Sequence, residues 1–461
     1  MVFSSNLFLF LFLPIFLVSY YLLPFKARSA LILVFSYVFY GWWRPDFALL
    51  LGGVTAGTYA LTLLMESPDW RARRYAVLSV GVGLNLLALG YFKYFNFGMD
   101  SMNALLGLAG FESVGFTRVV LPIGLSFFIF QAISYMVDVY RGDAPVTENL
   151  FDFAAFISFF PQLVAGPVLR YQPLADQFVH REHSWKIFSQ GCLVFMAGLS
   201  GKVLIADPMA PMVDAAFALE SPSVIDAWLG TLAYTIQLFF DFSGYSTMAI
   251  GLGLMVGFVF PKNFDDPYTS ASITEFWRRW HMSLSTWLRV YLYVPLGGNR
   301  LGTGRTYINL MLTMVLGGIW HGANWTFVIW GLWHGGILAL ERYWRETHPN
   351  PVLPRPVAVA WTLLLVMIGW VFFRAPTVTA AFSTLGGMVG WHGWAMSPEL
   401  AWQVVPERVI VMLVGCVLVF ALPWVRRTID GPLRLLLIPL FLWAVATLSS
   451  QAFTPFLYFQ F

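Results

Sequence analysis

Apolar stretches close to the ~20 residues needed to cross a bilayer recur along the whole of this 461-residue chain. They run at 7–24, 29–43, 47–65, 76–93, 119–138, 151–169, 187–206, 227–259, 306–320, 325–341, 356–374, 408–424 and 434–450. Backbone polar groups in hydrocarbon must be satisfied internally, so spanning segments of this kind fold as helices. The chain therefore reads as one all-α polytopic membrane domain, residues 1–461, with roughly eleven true crossings. Segment 151–169 holds Pro161, Gly166 and Pro167 and reads as re-entrant. Segment 227–259 is too long for one span, and its polar run Asp241–Ser246 reads as an interruption. Segment Leu7–Pro24 lacks the basic start and small-residue cleavage site of a signal peptide, so it is kept as a span.

Composition agrees. Charged residues make up 11% of the chain, against about 25% in soluble domains, which leaves no room for a large soluble domain. A net charge of +3 argues for no nucleic-acid partner. The two cysteines, Cys192 and Cys416, lie in apolar runs and read as small buried hydrophobes. Positive charge sets orientation. Lys26 and Arg28, then Arg71, Arg73 and Arg74, fall on one side, taken as cytoplasmic, which puts the N-terminus outside. Arg426, Arg427 and Arg434 precede the last span and put the tail 451–461 outside too. Lys93 and Arg118 fall on the wrong side by this count.

Two histidines sit within hydrophobic sequence, where a titratable ring is costly unless it faces a cavity or a partner. Residues 275–289 read EFWRRWHMSLSTWLR. As one helix, they place Trp277, Trp280, Leu284, Trp287 and Leu288 on an apolar stripe. Glu275, Arg278, Arg279, Thr286 and Arg289 fall opposite, with His281 at the edge. Two readings fit: an interfacial amphipathic helix, or a helix lining a polar funnel with its arginines toward an anionic ligand. His321, in GGIWHGANW, ends an apolar segment. Gly322 suits a helix C-terminus and Asn324 an N-cap, so His321 falls on a turn between helices. There it is either a general base or a structural histidine bonded to a carbonyl. His334 reads as structural, and His180, His183, His348 and His392 fall in connecting segments. No zinc-type spacing, nucleotide loop or nucleophile elbow is present. The pair Asp265–Asp266 reads as a loop. No metal is expected.

EFWRRWHMSLSTWLR followed by GGIWHGANWT resembles the membrane-bound O-acyltransferase family, above all its bacterial branch that acetylates exopolysaccharides. The segments at 121–142, 159–170, 237–246 and 296–300 and the closing FLYFQF carry the same likeness, with the core motifs at 121–341. The resemblance implies a ring of transmembrane and re-entrant helices around a central tunnel. It implies an inner-membrane enzyme that passes acetyl from cytoplasmic acetyl-CoA toward a secreted polymer, alginate or cellulose, with no bound cofactor. A periplasmic SGNH-type acetyltransferase subunit, an exopolysaccharide synthesis and export complex, and membrane lipids would be its partners. His321 would act as base toward the acceptor hydroxyl, and His281 would orient or polarise the acyl group. Arg278, Arg279, Arg289, Trp320 and Asn324 would line the substrate side. Tyr458 in the tail would relay the acyl group outward. Where the family usually has aspartate, this chain has Val290 and Thr247, so the arginines would need other partners. A polymer or lipid-carrier transporter and a non-catalytic export scaffold are the rival functions.

Overall fold

The computed structural model describes residues 1–164, 166–348, 353–428 and 431–450. Among them every regular element is helical. Six helices are long and apolar enough to cross a membrane: Pro45–Glu66, Pro68–Leu108, Trp185–Phe217, Val224–Met255, Arg355–Arg374 and Pro406–Trp424. The remaining expected spans fall on shorter or more polar helices, such as Phe8–Leu22 and Arg434–Ser450. The chain groups into two compact units, Met1–Gly191 with Ala249–Phe260, and Cys192–Met248 with Pro261–Phe461.

In the first unit, the short helices Leu150–Ser158 and Phe160–Leu163 are separated by a break at Phe159, so segment 151–169 is not one continuous helix. The Ser36 hydroxyl accepts the Phe160 amide at 3.0 Å. The Phe160 ring is enclosed by Phe3, Phe8, Phe12, Phe16 and Phe39, with ring centroids 5.0 to 6.4 Å away. Just before helix Leu125–Arg141 the chain turns at Gly124 with φ +76°. A Cβ there would lie 2.3 Å from the Leu163 carbonyl oxygen, so only glycine fits the turn.

The second unit holds a correction to the sequence reading. Val224–Met255 is one helix of 32 residues, running straight through Asp241–Ser246. At ~1.5 Å per residue it is about 48 Å long, more than the ~30 Å hydrocarbon core. Ser243 and Asp241 find partners without unwinding the helix. The Ser243 hydroxyl donates to Phe239 O at 2.5 Å. Asp241 lies 3.3 Å from the ammonium of Lys202, which also pairs with Asp207; Lys202 and Asp241 are buried and Asp207 is half-buried. Gly244 lets the backbone of helix Trp185–Gly201 approach, since a Cβ there would come within 2.8 Å of Gly198 O. Small residues permit this kind of close packing between membrane helices.

Helices Thr303–His321 and Trp325–Thr347 form a tight hairpin in the same unit. Gly318 and Gly331 are the points of closest approach. A Cβ on Gly318 would sit 2.3 Å from Phe327 O, and one on Gly331 would sit 2.6 Å from Met314 O.

Candidate active site

Residues 275–289 do not form one helix. Ile273–Arg279 and Met282–Leu288 are separate helices. Trp280 between them is extended, and His281 has φ +44° and ψ +53°. Periodicity hid the break because the contact that makes it comes from elsewhere in the chain. The loop at 263–265 takes over the hydrogen bonds a continuous helix would have made. Asn263 O accepts the Met282 amide at 2.9 Å, and the Asp265 amide donates to Arg279 O at 2.9 Å. The Asn263 Oδ1 accepts the Ser283 amide at 3.2 Å and the Ser283 hydroxyl at 2.8 Å. Left-handed backbone at a bulky residue is uncommon and costs energy, so it persists only where the surroundings hold it.

The first of the two helices is fixed at its start. Ser272 Oγ accepts the Glu275 amide at 3.0 Å, and Glu275 Oε2 accepts the amide of Ala271, the residue before the cap, at 2.8 Å, an arrangement related to a capping box but shifted by one residue. The Glu341 carboxylate, reaching over from Trp325–Thr347, accepts the amides of Ile273 at 2.6 Å and Thr274 at 2.9 Å. A negative group at the positive end of a helix is favourable. Glu341 thus ties the segment bearing His281 to the hairpin bearing His321.

Gly322 ends the helix as expected, but His321 is the last residue of helix Thr303–His321 and does not lie on the turn itself. Asn324 caps the next helix: its Oδ1 accepts the Thr326 amide at 3.1 Å, and its Nδ2 donates to Pro376 O at 2.9 Å. The cap holds the turn that follows the histidine.

The fold brings the two singled-out histidines together. Their ring centroids are 6.2 Å apart, and His281 and His321 are 1% and 5% exposed. The Trp320 ring lies 5.0 Å from His321 and 6.1 Å from His281. Phe242 meets His281 edge-on at 4.7 Å, and Trp330 and Phe373 meet His321 at 5.3 and 5.2 Å. Two imidazoles at this spacing are within reach of one substrate group. An enclosure walled by aromatic rings keeps water away and strengthens whatever polar contacts form inside it.

Not every expected residue joins them. Arg278 and Arg289 are exposed. Arg279 forms a 2.7 Å ion pair with Glu275, the partner it would otherwise have needed from a lost carboxylate. Thr247 and Val290 are half-buried, on Val224–Met255 and in the π-helical stretch Arg289–Tyr293. Tyr458 lies outside the described residues.

Two contributors went unread in the sequence, and a third, His334, was read only as structural. Asn263 sits in NFDDPY, where only the aspartates drew notice; Lys262 pairs with Asp265 there, in keeping with a loop. Glu341 gave no local signal. His334, read as structural, is fully buried, yet neither ring nitrogen makes a hydrogen bond among the described residues. That is not the pattern of a histidine held by a carbonyl. Its ring lies 5.0 Å from Trp330, the same indole that flanks His321.

Residues 143–379 match the membrane-bound O-acyltransferase family. A probable alginate O-acetylase of Pseudomonas putida is 52% identical over the full length of both chains. One from Azotobacter vinelandii is 49% identical, again over both whole chains. A peptidoglycan O-acetyltransferase of Helicobacter pylori is 36% identical over 85% of this chain and 80% of that one.

Proposed function

Since this chain belongs to the membrane-bound O-acyltransferase family and is an O-acyltransferase, we propose that it takes acetyl from cytoplasmic acetyl-CoA and passes it across the bacterial inner membrane. The acetyl is destined for hydroxyls of a secreted exopolysaccharide. Alginate is the polymer in the names of the relatives that match the whole chain, and cellulose is the other candidate. The working architecture is a ring of roughly eleven crossings and re-entrant pieces around a tunnel, with both termini periplasmic. A periplasmic SGNH-type subunit completes the transfer within the export complex, and Tyr458 hands the acetyl to it.

Within this reading His321 takes the proton of the acceptor hydroxyl as its oxygen attacks the thioester carbonyl, and the thiolate of CoA departs. His281 orients the reacting groups. Trp320 walls the pair, Asn324 holds the turn beneath His321, and Arg278, Arg279 and Arg289 face the anionic donor. The observation that supports the reading most is the pairing itself: two buried imidazoles 6.2 Å apart. A non-catalytic scaffold has no need of that pairing.

The test is acetyl transfer from radiolabelled acetyl-CoA by the purified, reconstituted protein with its partners, wild type beside His321→Ala. Label reaching the protein or a periplasmic partner only in the wild type is the expected result. Equal labelling by both would remove His321 from the chemistry, and no turnover by either would move the weight to a scaffold.

A further inference from the structure

We infer that Asn263 is a positioning residue that fixes His281 in one tautomer, with hydrogen on Nδ1 and a lone pair on Nε2, so that His281 meets its substrate as a hydrogen-bond acceptor. A backbone amide can only donate, and the Ser283 amide points at one side-chain atom of Asn263, 3.2 Å away. That atom is therefore the carbonyl oxygen, Oδ1. The Asn263 amide nitrogen then faces the Ser246 hydroxyl, 3.1 Å away, and donates to it. With the amide orientation settled by its neighbours, the same Oδ1 lies 3.2 Å from His281 Nδ1. An oxygen facing a ring nitrogen requires hydrogen on that nitrogen. In a neutral imidazole the other nitrogen then carries the lone pair.

The other nitrogen is Nε2. It is buried and makes no hydrogen bond among the described residues, and its residue is 1% exposed. One edge of the ring is thus held by a polar network anchored on helix Val224–Met255 through Ser246, while the other edge carries an acceptor in an aromatic enclosure. Asn263 serves backbone and side chain together. Its carbonyl takes the Met282 amide, its Oδ1 takes the Ser283 amide and hydroxyl, and the ring of His281, the residue just before them, is held by the same oxygen.

This deepens the proposed acetyl transfer and rests on it for its chemistry. A neutral His281 with its lone pair presented cannot polarise an acyl carbonyl, which needs a donor. It holds a group that brings its own hydrogen, a substrate O–H, and so orients the hydroxyl side of the reaction. Polarisation of the carbonyl falls to other groups.

Nitrogen-15 NMR of histidine-labelled, reconstituted protein tests it without any turnover. The His281 signals are identified by their loss in His281→Gln. A protonated Nδ1 and a bare Nε2 in the wild type are expected; a protonated Nε2 overturns the proposal. Two variants extend the test. Asn263→Asp keeps the accepting oxygen, and the Ser246 hydroxyl can turn to donate to the carboxylate, so it should keep the tautomer and most of kcat. Asn263→Leu has similar size and no acceptor; it should mix the tautomers and lower kcat by roughly tenfold or more, since a misplaced ring proton is costly. An Asn263→Leu protein with wild-type spectrum and wild-type kcat would also sink the idea. If the acetyl-transfer reading itself fails, the wild-type spectrum still decides the tautomer.

Discussion

One substitution tests how tightly the hairpin must close to place His321. Gly331→Ala adds a methyl group 2.6 Å from Met314 O and 2.7 Å from Val315 Cα, both backbone atoms that no rotamer change can move. Comfortable contact needs about 3.5 Å or more, so the two helices must separate by close to 1 Å at this crossing. Overpacking of this kind costs about 1–3 kcal/mol, offset by the ~0.5–1 kcal/mol that alanine gains over glycine inside a helix. Gly336→Ala, in the same helix, meets nothing within 4 Å and should retain that gain in full. The two variants should therefore differ by about 1–3 kcal/mol in equilibrium unfolding in mixed detergent. Transfer should separate them further. Displacing a reacting group by about 1 Å can cost ~100-fold, and His321 ends the helix against which Gly331 packs. Equal stability and equal kcat for the two variants would refute the claim that the hairpin's closeness positions the histidine.

Other outcomes follow from particular contacts. Glu341→Gln replaces an accepting oxygen at the start of Ile273–Arg279; a charge-assisted bond of this kind contributes about 1.5–3 kcal/mol, so unfolding should register a loss in that range and transfer should fall with it. Lys202→Met strips the buried cation from Asp207 and Asp241 and should cost about 3–5 kcal/mol; replacing all three by neutral residues of similar size should cost less, which a mutant cycle would measure. Tyr458→Phe should abolish passage of label to the periplasmic partner while leaving acetyl-CoA turnover intact; undiminished polymer acetylation would end the relay.

Much of the site was legible because its signals are local. Histidine inside apolar sequence is rare enough to stand out, and glycine after His321 followed by Asn324 reads directly as the end of one helix and the cap of the next. What stayed hidden depends on partners far along the chain. Nothing within 275–289 announces the break at His281, since the groups that satisfy it come from Asn263. The opposite error arose at Asp241–Ser246. Glycine and serine there read as breakers, whereas Gly244 makes room for a neighbouring helix and Ser243 folds its hydroxyl back onto its own turn. Local residue type gives the breaking tendency; only the packing decides whether it is used. Glu341 shows the same limit, because a carboxylate on a mid-chain helix gives no hint of which helix start it will serve.

The left-handed backbone at His281 has a practical consequence. Glycine adopts φ +44° at no steric cost, so His281→Gly suits the backbone better than the native residue while leaving an imidazole-shaped space between Phe242 and Trp320. That position is a natural place to return the missing ring from solution: free imidazole, and methylimidazoles locked as one tautomer or the other, would act as interchangeable parts, and restored turnover would report which nitrogen the reaction uses.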